Sequence, residues 1–96
     1  MENPHTLDIQ FRLSGELMQD ANTELMQHSV DELVQFVSNN IILKPGDVIA
    51  TGTPGGVGYA RTPPVFMEPG DVAECSVEGI GTLTNPDMRW EDVMPR

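Results

Sequence analysis

TLDIQFRLSGELMQDAN, residues 6–22, decides the fold class. Leu7, Ile9, Phe11 and Leu13 alternate with Asp8, Gln10 and Arg12, which is the period of a strand with one apolar face. The following Ser-Gly-Glu is a turn signal, and residues 17–22 return as the second arm of a hairpin. The lead-in before Leu7 reads as extended, because Pro4 disfavours helix at Asn3.

Downstream the period changes. In HSVDELVQFVSNN, residues 28–40, Ser29 and Glu32 have the spacing of a capping box, in which each side chain satisfies the other's free backbone N–H. Val30, Leu33, Val34 and Val37 recur at helical spacing, and Asn39 and Asn40 are the expected terminators. Two later segments, LKPGDVIATGTPGGVG (43–58) and MEPGDVAECSVEGIGTLTN (67–85), share the tetrapeptide PGDV. Proline fixes φ and glycine supplies the left-handed position, so both are read as turns that feed a strand. The expected strands are DVIAT at 47–51, then about 72–78 and 81–85 joined by Gly-Ile-Gly. The polar tail from Pro86 onward is expected to cover a sheet edge. The resulting order is strand, strand, helix, strand, loop, strand, strand: a β-rich α+β chain with one internal helix rather than a βαβ array.

Ninety-six residues suffice for one domain, and a domain of this size buries a modest share of its surface, so help from a partner is expected. Aromatics make up 5% of the chain, which leaves a core to be built from Val, Ile, Leu and Met. Fifteen acidic against five basic residues give a net charge of −10, which argues against nucleic acid or an anionic membrane as partner. Cys75 is the only cysteine, so an internal disulfide and a paired-cysteine zinc site are excluded. It lies in an alternating run and is expected to be half-buried. No apolar stretch approaches the roughly 20 residues of a membrane span, and no basic start leads into an apolar core, so a cytoplasmic protein is expected.

The glycine-rich IATGTPGGVG, residues 49–58, is the stretch whose chemistry is in question. A phosphate-binding loop needs a lysine and a following helix, and here the chain runs on to Val-Gly-Tyr and two prolines. Two readings stay open. Bare backbone and threonine hydroxyls at a strand end suit close approach of a carboxylate; the same glycines suit a crossover that needs positive φ. The carboxylates are scattered, with no persuasive metal-ligand spacing. His28 and Ser29 are adjacent, so their side chains diverge and form no triad; His5 stands apart.

The ordered strings SGELMQDANTELM, VDELVQFVSNNIILKPGDVIATGTPGGVG and PPVFMEPGDVAECSVEGIGTLTNP resemble the C-terminal part of the fumarylacetoacetate hydrolase family, from about Leu7 to Pro86. The resemblance implies a mostly-β roll and a Mg²⁺- or Mn²⁺-dependent enzyme acting on 2-oxo acids. The implied reactions are acylpyruvate hydrolysis, or isomerisation or decarboxylation in aromatic catabolism. It assigns the threonine of the Gly-Thr-Pro loop, here Thr53, to the substrate's carboxylate or adjacent oxo group. The family's metal ligands, a Glu-x-Glu pair and a further Asp, and its lysine precede the region matched. No Glu-x-Glu occurs here, and Lys44, the only lysine, sits in a Pro-Gly turn. Residues 1–96 are thus expected to be the C-terminal portion of a catalytic domain whose metal-binding portion is absent. Thr53 is carried over as substrate-binding; no catalytic or metal-ligating residue is. The expected partners are a small 2-oxo carboxylate and either further copies of the chain or an N-terminal segment. The alternatives are a non-catalytic carboxylate-binding module and a structural subunit that pairs with a full-length relative.

Overall fold

The computed structural model describes residues 3–89. Its frame is a four-stranded antiparallel sheet in the order β2-β1-β3-β4, with β1 at Asp8–Leu13, β2 at Glu16–Asn22, β3 at Val72–Val77 and β4 at Gly81–Pro86. One helix, α1, spans Val30–Ser38. The β-rich α+β class expected from the alternation is the one observed.

The first hairpin turns on two residues of positive φ, Ser14 at 50° and Gly15 at 85°, the conformation that matches the twist of antiparallel arms. Ser14 is held in this unfavourable region by β3. Its N–H donates to the Val72 carbonyl at 2.7 Å, its Oγ donates to Asp71 Oδ1 at 2.9 Å and accepts from the Val72 N–H at 3.2 Å. The turn therefore registers the hairpin against β3, across more than 55 residues of chain. β1 pairs Ile9 with Ala21 and Val77, and Phe11 with Gln19 and Cys75, so these side chains share one face.

The register slips between Phe11 and Arg12. Phe11 faces Gln19 and Arg12 faces Leu17, leaving Met18 as an extra residue in a β-bulge. Met18, at 6% exposure, is the one buried apolar side chain among the described residues. Most of the larger apolar side chains among the described residues are thus left half-buried or exposed.

α1 begins as its sequence predicts. Ser29 Oγ accepts from the Glu32 N–H at 3.2 Å, and Glu32 Oε1 accepts from the Ser29 N–H at 3.3 Å. The helix ends at Ser38 with Asn39 as C-cap. Val30, Leu33 and Val37 are half-buried, whereas Val34 at 42% is exposed. The lead-in is not extended: it turns at Pro4–His5, which lets His5 Nε2 accept from the Val30 N–H at 3.2 Å and cap the helix further.

Both Pro-Gly turns have one construction. The Asp47 N–H donates to the Lys44 carbonyl and Asp47 Oδ2 accepts from the Lys44 N–H; Asp71 and Glu68 repeat both bonds, with φ of 97° at Gly46 and at Gly70. The second turn enters β3 as expected. The first does not enter a strand: residues 47–51 lie in no ladder, and Val48 is 90% exposed. A strand forms only against a partner, and no strand of this sheet runs beside that segment. Cys75 is exposed rather than half-buried, because its face is left open toward β4, where Leu83 is 64% exposed. From Pro86, β4 gives way to Asp87, whose N–H and carbonyl bond Asp71 and Gly70; residues 90–96 of the tail lie outside the described residues. No helix among the described residues is long and apolar enough to cross a membrane.

Candidate carboxylate site

The face of β1 and β2 that carries Ile9 and Ala21 forms the floor of a cleft of about 680 Å³, together with Val77 of β3 and Leu33 of α1. Thr51, Gly52, Thr53 and Pro54 form one wall, and Asn22, Thr23 and His28 contribute polar groups. Thr53, the residue singled out in the glycine-rich loop, lies in the wall of this cleft. No Asp, Glu, Lys or Arg lines the cleft among the described residues, and His28 is its one titratable group. In a chain of charge −10, a carboxylate entering here meets no lining acid.

The loop is held against the bulge of β2. Gln19 Nε2 donates to Thr53 Oγ1 at 2.8 Å and to the Pro54 carbonyl at 2.9 Å. Arg61 Nη2 donates to the Met18 carbonyl at 2.6 Å, and its Nε donates to the Gly56 carbonyl at 3.1 Å. Charged donors make the stronger hydrogen bonds, so Arg61 is the main fastener. The fit is tight. Gly56 has a φ of 99°, and a Cβ there would overlap the Met18 carbonyl oxygen. Gly58 approaches the Val65 carbonyl oxygen in the same way. Gly56, with its positive φ, and Gly58 thus permit the close packing of the loop, while Thr51–Pro54 line the cleft.

Gln19, Arg61 and the bulge at Met18 carry no signal in the linear pattern. Their roles arise from contacts more than 30 residues apart, Gln19 to Thr53 and Arg61 to Met18. His28 lines the cleft, and its Nδ1 lies 3.6 Å from Glu32 Oε2 on the exposed start of α1. The Glu32 carboxyl is held below the usual glutamate range, chiefly by the Ser29 backbone N–H, then by the Ser29 hydroxyl and His28.

The described residues do not fit a metal ion. No three His, Cys, Asp or Glu side chains converge on one point among them. The carboxylates have other work: Asp8 Oδ1 accepts from Asn22, Glu78 Oε1 from the Asp8 N–H, and Asp71 from Ser14 and Glu68.

By its sequence and by its fold this chain belongs to the fumarylacetoacetate hydrolase family. The family model for the fumarylacetoacetate hydrolase C-terminal domain matches residues 1–86. The chain is 48% identical over 83 residues to the mitochondrial oxaloacetate tautomerase FAHD2B of Bos taurus, covering 86% of this chain and 26% of that protein. Fumarylacetoacetate hydrolase from the psychrophile Exiguobacterium antarcticum superposes with a TM-score of 0.87 at 44% identity, over 90% of this chain and 31% of that one. Maleylpyruvate hydrolase from Sphingobium sp. SYK-6, solved in complex with manganese(II) and pyruvate, gives 0.79 at 32% identity, over 92% and 31%. The chain thus spans between a quarter and a third of the length of these relatives.

Proposed function

We propose that this chain is the C-terminal, substrate-cradling portion of a divalent-metal-dependent enzyme acting on small 2-oxo acids. The reaction is acylpyruvate-type C–C hydrolysis, or isomerisation or decarboxylation of a related oxo acid. The observation that carries the reading is the cleft: Thr53 stands in its wall and no acidic side chain lines it among the described residues. The named activities of the relatives support the 2-oxo acid class, and one of them is in complex with manganese(II) and pyruvate. The chain's own contribution is to bind and orient. The Thr53 hydroxyl and neighbouring backbone N–H groups hold the carboxylate end, while Ile9, Ala21, Leu33 and Val77 receive the apolar part. The metal and the acid–base groups are assigned to the two-thirds or more of the relatives' length that this chain does not span. Exposed Phe36, Ile42, Val48 and Phe66 support pairing with such a segment, or with further copies.

The test is loss of acylpyruvate ultraviolet absorbance with added Mg²⁺ or Mn²⁺, with and without an N-terminal segment taken from a relative. The expected result is no turnover by the chain alone and turnover once the segment is supplied. In that assembly Thr53→Val lowers kcat/KM by about tenfold, the worth of one hydrogen bond to a charged group. Turnover by the purified chain alone, or none in the assembly, refutes the divided site.

A further inference from the structure

We infer that Gln19 is a positioning residue that turns the Thr53 hydroxyl into a hydrogen-bond donor aimed at a carboxylate in the cleft. This rests on the carboxylate reading above and deepens it. Pro54 offers Gln19 only a carbonyl oxygen, which accepts and cannot donate. The amide atom 2.9 Å from it is therefore nitrogen, which settles the orientation of the Gln19 amide. The same nitrogen lies 2.8 Å from Thr53 Oγ1, and an amide NH₂ donates only. Thr53 must accept this bond, so its own proton points away from Gln19. The hydroxyl belongs to a residue that lines the cleft, and among the described residues it makes no second hydrogen bond. Its proton is free for a ligand.

The β-bulge is what delivers Gln19 to this place. Counting back from the hairpin turn, an unbroken register would continue from Leu13↔Glu16 and Arg12↔Leu17 to pair Phe11 with Met18 and Gln10 with Gln19. Gln19 would then share the face of Gln10, opposite that of Ile9 and Phe11. The extra residue at Met18 moves Gln19 opposite Phe11 and Ala21 opposite Ile9. Both thereby stand on the cleft side of the sheet. One inserted residue thus supplies the floor residue Ala21, the positioning amide of Gln19 and the free carbonyl that Arg61 grips.

The experiment titrates oxalate into the ¹⁵N-labelled chain and follows the amides of Thr51, Gly52 and Thr53. In Gln19→Glu the carboxylate accepts the Thr53 proton and adds a negative charge, so oxalate affinity falls by about tenfold or more. Gln19→Lys keeps a donor of similar reach for both Thr53 and Pro54, and retains affinity within about threefold. Thr53→Val loses about tenfold, and adding Gln19→Glu to it costs less than Gln19→Glu costs in the parent, because only the added charge still acts once the hydroxyl is gone. Unchanged amide shifts along β1 and β2 verify the fold of each variant. A Gln19→Glu chain that binds as the parent does, or losses from Gln19→Glu that add fully to those of Thr53→Val, overturns the role of Gln19. Gln19→Lys losing as much as Gln19→Glu reduces Gln19 to a loop tether and overturns it also. A parent chain whose Thr51–Thr53 amides ignore oxalate refutes the carboxylate site itself, and the positioning role with it.

Discussion

Replacing Gly56 by alanine tests the docking of the glycine-rich loop onto β2. Two costs apply. At a φ of 99° an L side chain is strained by about 1–2 kcal/mol. The new Cβ also overlaps the Met18 carbonyl oxygen, a backbone atom rather than the end of a flexible side chain. The loop must lift instead, and the Arg61 bond to Met18 at 2.6 Å goes with it, at about 1.5–3 kcal/mol for a charged donor. The sum is about 2.5–5 kcal/mol. Gly52 is the internal control: its φ is 98° and no atom lies within 4 Å of a Cβ built there. Gly52→Ala therefore meets only the first cost. The assay is native-state amide hydrogen exchange at Ala60, Arg61 and Val65, whose N–H groups bond within the loop at 3.1, 3.2 and 2.9 Å. The difference of about 2 kcal/mol predicts protection lower by about thirtyfold in Gly56→Ala than in Gly52→Ala. Equal protection in the two variants refutes the close approach of loop and bulge as the reason for glycine at this position.

Two further outcomes concern α1, whose nine residues are too few to hold a helix by propensity alone. Ser29→Ala removes the hydroxyl that accepts from the Glu32 N–H and should destabilise the helix by about 1 kcal/mol, read as a loss of helical Cα chemical shifts over residues 30–38; unchanged shifts refute the cap. The lowered Glu32 pKa gives the second. A carboxylate with a depressed folded-state pKa contributes stability that is fully present above its unfolded pKa and is lost as pH falls through the folded one. The helical shifts should therefore weaken on acidification below the ordinary glutamate range, and this pH response should be smaller in Glu32→Gln. A variant that titrates like the parent counts against the box.

The relation of the loop to its surroundings explains why the site was only partly legible in the chain. Thr53 could be read as substrate-facing from the family strings around it. Gln19 could not, because its alternation with Leu17 and Ala21 is that of any strand, and the face it takes depends on a bulge that no residue type announces. Likewise DVIAT has the composition of a strand and none of the pairing. Strand pattern states which residues can share a face; a ladder needs a second chain segment at about 5 Å, and within the described residues β1–β4 pair only with one another.

What the sequence by itself determined are the features whose hydrogen bonds close within four residues. The capping box of Ser29 and Glu32 and the paired Pro-Gly-Asp turns are of this kind, since the partner travels with the residue. The tertiary structure alone decided the strand order, which brings β3 beside β1 from the far end of the chain. It also decided the bulge at Met18, the exposure of Cys75 and the fastening of the loop by Gln19 and Arg61. Each of these depends on which distant backbone group is free to bond, and that is settled only when the sheet has assembled.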